Sequence, residues 1–153
     1  MPLIPRTRDE VRATLDVLPP EVRIRISPRW LVLVEMSSAQ DPWVHGFHVV
    51  NDAGLIVGLG AFKGPPDDDA VEIAYAIEPG QQGKGYATHA ARALTAFAFA
   101  SGQVRIVRAH TRPEGHASQR VLLKSGFEKI GEVVDAEDGL VWRFEMTAAL
   151  SAP

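Results

Sequence analysis

An apolar run, a cluster of glycines and an alanine-rich stripe follow one another between Ala70 and Ala100, and no other feature constrains the fold as much. Ala70 to Ile77 is short and apolar, carries β-branched and aromatic residues, and is stopped by Pro79-Gly80, which predicts a buried strand. Gly80, Gly83 and Gly85 fill the turn. Ala87, Ala90, Ala91, Leu94, Phe97 and Ala98 then lie on one side of a 3.6-residue period, predicting a helix to Ala100. The order is strand, glycine loop, helix. Glycines allow close backbone approach to a ligand, and the first amides of a helix have no partner within it. Those N–H groups and the positive end of the helix dipole suit a phosphate.

Charge points the same way. From Pro79 to Pro113 there is no Asp or Glu, while Lys84, Arg92, Arg105, Arg108 and Arg112 give a net of +5. Residues 1–78 carry a net of −5 and residues 114–153 a net of −3. An acidic chain with its positive charge concentrated around a glycine loop fits a small polyanionic ligand better than a nucleic acid.

Three phosphate loops compete. A nucleoside-triphosphatase loop needs Gly-x-x-x-x-Gly-Lys-Ser/Thr, and here Gly85 stands where the magnesium-binding hydroxyl belongs. A dinucleotide fold needs Gly-x-Gly-x-x-Gly, with an acid about 20 residues on. Thr88 replaces the third glycine, and the stretch from Arg105 to Arg108 holds no acid. The third fits: Gln82-Gly83-Lys84-Gly85-Tyr86-Ala87 resembles the Gln/Arg-x-x-Gly-x-Gly/Ala signature of the GNAT superfamily of acyl-CoA-dependent N-acetyltransferases. Val71 to Ile77 resembles that family's central strand, and Ala117-Ser118-Gln119-Arg120-Val121-Leu122-Leu123-Lys124-Ser125-Gly126-Phe127 resembles its later Ala-Ser-x-x-Val-Leu-x-Lys-x-Gly-Phe segment. The pairing is typical of the branch containing the RimJ and RimL ribosomal-protein acetyltransferases. The resemblance runs from about Trp43 to Glu145 and is faint before that.

The resemblance implies an α/β (α+β) GNAT fold: a mixed central sheet flanked by helices, with splayed central strands that bind coenzyme A. It implies that the amides of Gly83 to Ala87 hold the pyrophosphate and that the strand ending at Ile77 pairs with the pantetheine arm. The implied cofactor-binding residues are Ala76, Ile77, Gln82, Gly83, Lys84, Gly85, Tyr86, Ala87 and Thr88, with acetyl-CoA as cosubstrate.

At this length one domain, residues 1–153, is expected, with a substantial core. The absence of cysteine excludes disulfides, thiol nucleophiles and thiolate metal sites. His45, His48, His110 and His116 have no metal-ligand spacing, so no metal is expected. The beginning shows no signal-peptide pattern, and no apolar segment approaches the ~18–20 residues that span a membrane. A cytoplasmic location follows by default.

Elsewhere, Thr7 to Leu18 reads as a helix with a Thr7–Glu10 capping box and a Val11, Leu15, Leu18 stripe, ended by Pro19-Pro20. Glu21 to Pro28 is ambiguous, and Trp30 to Met36 reads as a strand. Gly46 to Val50 and Leu55 to Phe62 form a hairpin around Asn51-Asp52-Ala53-Gly54. Asp67, Asp68 and Asp69 suit a cationic acceptor or, more simply, a solvated turn. Val104 to Thr111 is a strand, and Ala117 to Ser125 a helix with Val121 and Leu122 inward, closed by Gly126. Lys129 to Val134 and Leu140 to Phe144 form a last hairpin, and Thr147 to Pro153 a frayed tail. Tyr75, Phe97 and Phe99 are expected in the core, and His89 on a helix surface.

Acetyl transfer to an amine needs a neutral nucleophile, donors for an oxyanion and a leaving sulfur. At pH 7 deprotonating a lysine costs about 4.6 kcal/mol and an α-amine about 1 kcal/mol, while a thiol of pKa ~8.5 leaves with little help. Glu72, on the strand face shared with Ala74 and Ala76, is the candidate general base; an ion-paired strand glutamate is the competing reading. Ser118 is placed either to hydrogen-bond the sulfur or pantetheine or to cap its helix. Two polar groups usual in the family are missing: its tyrosine is Leu122 here, and its asparagine is Gly115.

The leading expectation is an N-acetyltransferase acting on a small-molecule amine or a protein N-terminus. A CoA-binding module without catalysis and a nucleotide-binding protein are the alternatives. No nucleic-acid or membrane partner is expected, and homodimerisation is left open.

Overall fold

A computed structural model describes residues 3–136 and 138–148. Among these residues seven strands form one sheet: β1 (Leu3–Pro5), β2 (Phe47–Val50), β3 (Ile56–Phe62), β4 (Ala70–Ile77), β5 (Ile106–Thr111), β6 (Glu128–Asp135) and β7 (Gly139–Thr147), in the order β1-β2-β3-β4-β5-β7-β6. Every neighbouring pair is antiparallel except β4 and β5. These two pair in parallel only where Ala70, Val71 and Glu72 face Ile106, Val107 and Arg108. Beyond Glu72 both strands continue without a shared ladder, so the sheet opens at its centre. This is the expected splayed mixed sheet with flanking helices.

Among the described residues six helices accompany it: α1 (Arg8–Asp16), α2 (Pro20–Arg23), α3 (Pro28–Met36), α4 (Pro42–His45), α5 (Tyr86–Ala100) and α6 (His116–Lys124). The main core lies between α5 and the sheet, where Ala91, Leu94 and Ala98 meet Phe47, Phe62, Ile73 and Val107. A side chain at Gly60 on β3 would come within 3.2 Å of Leu94, so the glycine sets how closely α5 packs. Thr95 is buried on α5, whereas Phe97 is 37% exposed, at the rim of an aromatic group with Trp43, Phe47 and Phe62. Phe97 is therefore less of a core residue than its place in the stripe predicts.

The predicted capping box is present: the Glu10 amide donates to Thr7 Oγ1 at 3.2 Å and the Thr7 amide to Glu10 Oε1 at 3.3 Å. Pro19-Pro20 ends α1 as predicted, and Pro20 also starts α2 within the ambiguous stretch. The strand expected from Trp30 to Met36 is instead helix α3. Ser27 accepts from the Trp30 amide at 3.4 Å, and Pro28 fits the first helical position. Trp30, Leu31 and Val34 turn inward with Val11 and Leu15, while Val32 and Met36 are exposed, a spacing of three and four residues rather than two. The cap and this period outweigh the β-branched composition. Edge strand β1 and helix α4 were not foreseen.

Both hairpins appear near their predicted bounds. In the first, Asn51 Oδ1 accepts from the amides of Ala53 and Leu55 at 2.9 and 3.0 Å. Leu122 is buried, Ser125 ends α6, and Gly126 follows at φ +99°. Of the expected tail, Thr147 closes β7 and the Ala148 amide donates to Arg105 O at 2.8 Å. Residues 149–153 lie outside the described residues. Among the described residues no helix is long and apolar enough to cross a membrane.

Candidate active site

After Ile77 the chain makes a 3₁₀ turn, Pro79–Gln81, and enters α5 through Gly83 at φ +78° and Gly85 at φ +87°. L-residues with side chains rarely adopt this conformation. Gly85 is the N-cap and no side chain caps the helix, which leaves its first amides for a ligand. A Cβ at Gly83 or Gly85 would meet nothing within 4 Å, so backbone conformation, not space, calls for glycine there. Gln82 Nε2 donates to Ile77 O at 3.1 Å and ties the loop to the strand end.

A cavity of about 470 Å³ opens between the end of β4, this loop and α6. Of the residues expected to bind the cofactor, Ala76, Ile77, Gln82, Gly83, Gly85, Tyr86, Ala87 and Thr88 line it. Lys84 is not among the lining residues; its Nζ donates to Gln81 Oε1 at 3.2 Å on the surface. Helix α6 supplies Arg120 and Lys124, one turn apart on the cavity face. Their register with Ala117 and Val121 on the helical period was the available signal.

The basic stretch of the sequence disperses in space. Arg92 Nη2 donates to Lys124 O at 2.9 Å, and Arg108 pairs with Glu145. Neither lines this cavity, and Arg120 and Lys124 provide its cationic wall instead.

A second cavity, about 340 Å³, is lined by Lys63, His110, Thr111, Arg112, Gly115, Asp138 and Val141, and shares Ser118 with the first. Glu72 stands beside it through two of those residues: Oε2 lies 3.0 Å from Lys63 Nζ and 3.0 Å from His110 Nδ1. Arg143 Nε donates to His110 Nε2 at 3.0 Å. Arginine only donates, so Nε2 is the acceptor, and Nδ1 is the ring nitrogen on the Glu72 side. Burial alone would lower the Lys63 ammonium, but Glu72 beside it leaves the pKa raised. Thr111 is 6% exposed, and its Oγ1 has no hydrogen-bond partner.

Ser118 does not cap α6: the N-cap is Gly115, and no side chain bonds there. Ser118 is exposed and lines both cavities. Tyr75, expected only in the core, packs against it and also lines the larger cavity. Burial pushes its pKa up to about 12. Gly115 sits tightly, since a Cβ there would be 3.1 Å from Arg112 O. Gln119 holds that loop by donating Nε2 to Arg112 O and Pro113 O at 3.0 and 3.1 Å.

The three aspartates of the β3–β4 loop are exposed and line neither cavity. His45 is buried against Ser37, and His48 pairs with Glu10. Among the described residues no group of three or more His, Cys, Asp or Glu is arranged to hold a metal.

Residues 5–128 match the model of the acetyltransferase (GNAT) domain family. An uncharacterized N-acetyltransferase of Bacillus subtilis (strain 168), YnaD, is 29% identical over 83 residues, 54% of this chain and 49% of that protein. The match thus spans about half the length of this curated relative. Solved structures share the fold. An acetyltransferase (GNAT family) from Bacillus anthracis matches with a TM-score of 0.58 and 23% identity, over 67% of this chain and 65% of that one. The aminoglycoside acetyltransferase AAC(6')-Ib in complex with coenzyme A matches with a TM-score of 0.67 and 20% identity, over 95% and 94%. A spermidine N-acetyltransferase SpeG chimera from Vibrio cholerae and hSSAT matches with a TM-score of 0.70 and 16% identity, over 96% of both chains.

Proposed function

Because the chain belongs to the acetyltransferase (GNAT) family, we propose that it transfers an acetyl group from acetyl-CoA to a primary amine, on a small molecule or a protein N-terminus. The carrying observation is the junction of two cavities at Ser118, one entered by the uncapped start of α5 and the other flanked by Glu72. The donor set suits coenzyme A. Free helix amides and the glycine loop favour a diphosphate, Arg120 and Lys124 add positive charge, and the unpaired end of β4 offers backbone to an extended arm. Acetyl-CoA brings an acyl group on a thiol leaving group.

The second cavity takes the amine. Lys63 Nζ and His110 Nδ1 both stand 3.0 Å from Glu72 Oε2, so in this reading the other carboxylate oxygen, Oε1, meets the amine. That oxygen accepts the amine's proton, directly or through a water, as nitrogen bonds to the carbonyl carbon and the carbon–sulfur bond breaks. An α-amine, cheaper to deprotonate than a lysine, suits a carboxylate flanked by Lys63 and His110. The paired motifs at Gln82–Ala87 and Ala117–Phe127 favour the RimJ/RimL-like branch. One continuous sheet favours a single acetyltransferase domain.

The second reading is a CoA-binding module without turnover. It draws on Glu72's engagement by Lys63 and His110, and on the absence of a phenol at Leu122, which is buried at 1% exposure. Calorimetry with acetyl-CoA, CoA and ATP, followed by thiol release across a panel of amines, decides. Tight CoA binding with acceptor-dependent thiol release supports the enzyme; binding without release supports the module. Preference for ATP overturns both.

A further inference from the structure

We propose that the acetyl acceptor is a compact amine that also carries an anionic group, a carboxylate or a phosphate, and that Arg112 on the wall of the second cavity holds that anion. The inference rests on the acetyl-transfer reading above and deepens it. The titratable groups on that wall are Lys63, His110, Arg112 and Asp138. Lys63 is already matched: Glu72 Oε2 lies 3.0 Å away, and Asp135 and Asp138 act on it from the β6–β7 hairpin. Arg112 is not. Its backbone oxygen accepts from the Gly115 amide at 2.9 Å and from Gln119 Nε2 at 3.0 Å. Among the described residues its guanidinium has neither an ion pair nor a hydrogen bond. Gln119 is buried on α6, so these two bonds present the arginine from an anchored loop.

The spacing says what such an anion belongs to. His110 Nδ1 lies 3.0 Å from Glu72 Oε2, and Arg112 follows two residues later on the same wall, at most about 7 Å further along the chain. A molecule whose amine meets the Glu72 carboxylate therefore has Arg112 within reach of a group only a few bonds away. A guanidinium stays charged at any working pH and offers paired N–H donors that match a carboxylate or a phosphate. A linear polyamine in the same space of about 340 Å³ would set its second ammonium against Lys63 and Arg112. In the reaction the amine nitrogen bonds to the acetyl carbon, its proton goes to Glu72, and sulfur leaves with the bonding pair. The anion stays on Arg112 throughout and takes no part in the bond changes.

The test measures thiol release from acetyl-CoA with β-alanine and ethanolamine phosphate as anion-bearing amines, ethanolamine as the neutral one and putrescine as the dication. Wild type is compared with Arg112→Gln and Arg112→Lys. Taking each amine as a ratio between proteins cancels differences in amine pKa. Arg112→Gln should lower kcat/KM for the anion-bearing amines by about 5- to 30-fold, leave ethanolamine within about twofold, and leave KM for acetyl-CoA unchanged. Arg112→Lys should restore part of the loss. The preference between β-alanine and ethanolamine phosphate tells carboxylate from phosphate. Calorimetry of the same amines into CoA-saturated protein reads the contact without turnover, and Arg112→Gln should weaken it by the same factor. Arg112 is exposed, so both variants should keep the wild-type thermal midpoint. Equal losses for charged and neutral amines, a wild-type preference for putrescine, failure of both anion-bearing amines to bind or react, or weakened CoA binding in Arg112→Gln overturns the anion site and leaves CoA binding and acetyl transfer to stand on their own assays. A wild type that binds no CoA overturns the acetyl-transfer reading, and this inference with it.

Discussion

His110 Nδ1 lies 3.0 Å from Glu72 Oε2, while its Nε2 accepts from Arg143 Nε at the same distance. The arginine on β7 thus fixes one face of a ring whose other nitrogen stands beside a carboxylate on β4. Glu72 sits on the last paired rung of β4 and β5, opposite Arg108, and His110 lies two residues beyond it, where the sheet begins to open. Lys63, the residue after β3, places its ammonium 3.0 Å from the same carboxylate oxygen.

Replacing Glu72 by Gln keeps the size and removes the charge. The expected result is a 10²- to 10⁴-fold loss in kcat with CoA affinity unchanged. His110→Gln breaks the link to Arg143 and should cost about tenfold in kcat. Steady-state kinetics, paired with CoA calorimetry, reads both. Unchanged turnover in Glu72→Gln ends the assignment of Glu72 as base.

Two glycines near the cofactor cavity should fail differently. Gly85→Ala places an ordinary residue at φ +87° in open space, so its cost is conformational, about 1–2 kcal/mol, and falls on the loop. CoA binding should weaken roughly 5- to 30-fold by the same arithmetic while the thermal midpoint moves little. In Gly58→Ala the new Cβ would lie 2.4 Å from Ala76 O, inside the β3–β4 ladder. The strands must separate, so the midpoint should drop by several degrees. Equal thermal losses in the two variants would contradict this separation of roles.

The stretch from β4 into α5 was legible because local signals agreed there: β-branched pattern, proline–glycine stop, glycine spacing and alanine period all favoured one answer. Helix α3 was misread because Trp30 to Val34 is rich in strand-favouring side chains, and the deciding information lay just upstream, in Ser27-Pro28. Tyr75 was read as core because sequence spacing shows which face a strand residue occupies, not what borders that face. Its place on the wall of the larger cavity, with residues of α6 on the same wall, exists only after folding. Arg120 and Lys124 escaped for a similar reason: charge was counted along the chain, whereas the cavity gathers it across elements.

Acid should loosen the N-terminal helical layer through His45. This ring is 1% exposed, accepts from the Asp41 amide at Nδ1 (3.1 Å) and contacts Ser37 Oγ at Nε2 (2.8 Å). Ser37 spends its own hydrogen on Val34 O, so Nε2–H is the donor and the neutral ring satisfies both partners. Burial lowers its pKa, and Arg6 and Arg8 nearby act in the same direction against Asp41. The unfolded chain therefore takes up the proton first. Stability should fall as pH drops below about 6.5 and level off below the depressed folded pKa, with a slope of at most about 1.4 kcal/mol per pH unit. Denaturant melts between pH 7.5 and 5.5 check this, and His45→Gln should flatten the slope in that window while lowering stability throughout.

Cofactor affinity should depend on α6 more than on the lysine inside the glycine motif. Lys84 carries the motif's charge but reaches only Gln81 on the surface, whereas Arg120 and Lys124 line the cavity itself. An exposed cation near a phosphate contributes modestly in water and is screened beyond about 10 Å at 0.1 M salt. Arg120→Ala or Lys124→Ala should each weaken CoA binding by roughly 3- to 10-fold, consistent with a charge-assisted hydrogen bond partly exposed to solvent. Lys84→Ala should change it by less than about twofold. Salt separates charge from shape: raising it from 50 to 500 mM should erode wild-type affinity and narrow the gap to the α6 variants. The measurement is CoA calorimetry at the two salt concentrations. A Lys84→Ala loss larger than that of Lys124→Ala would return the phosphate contact to the loop side chain and remove α6 from the binding site.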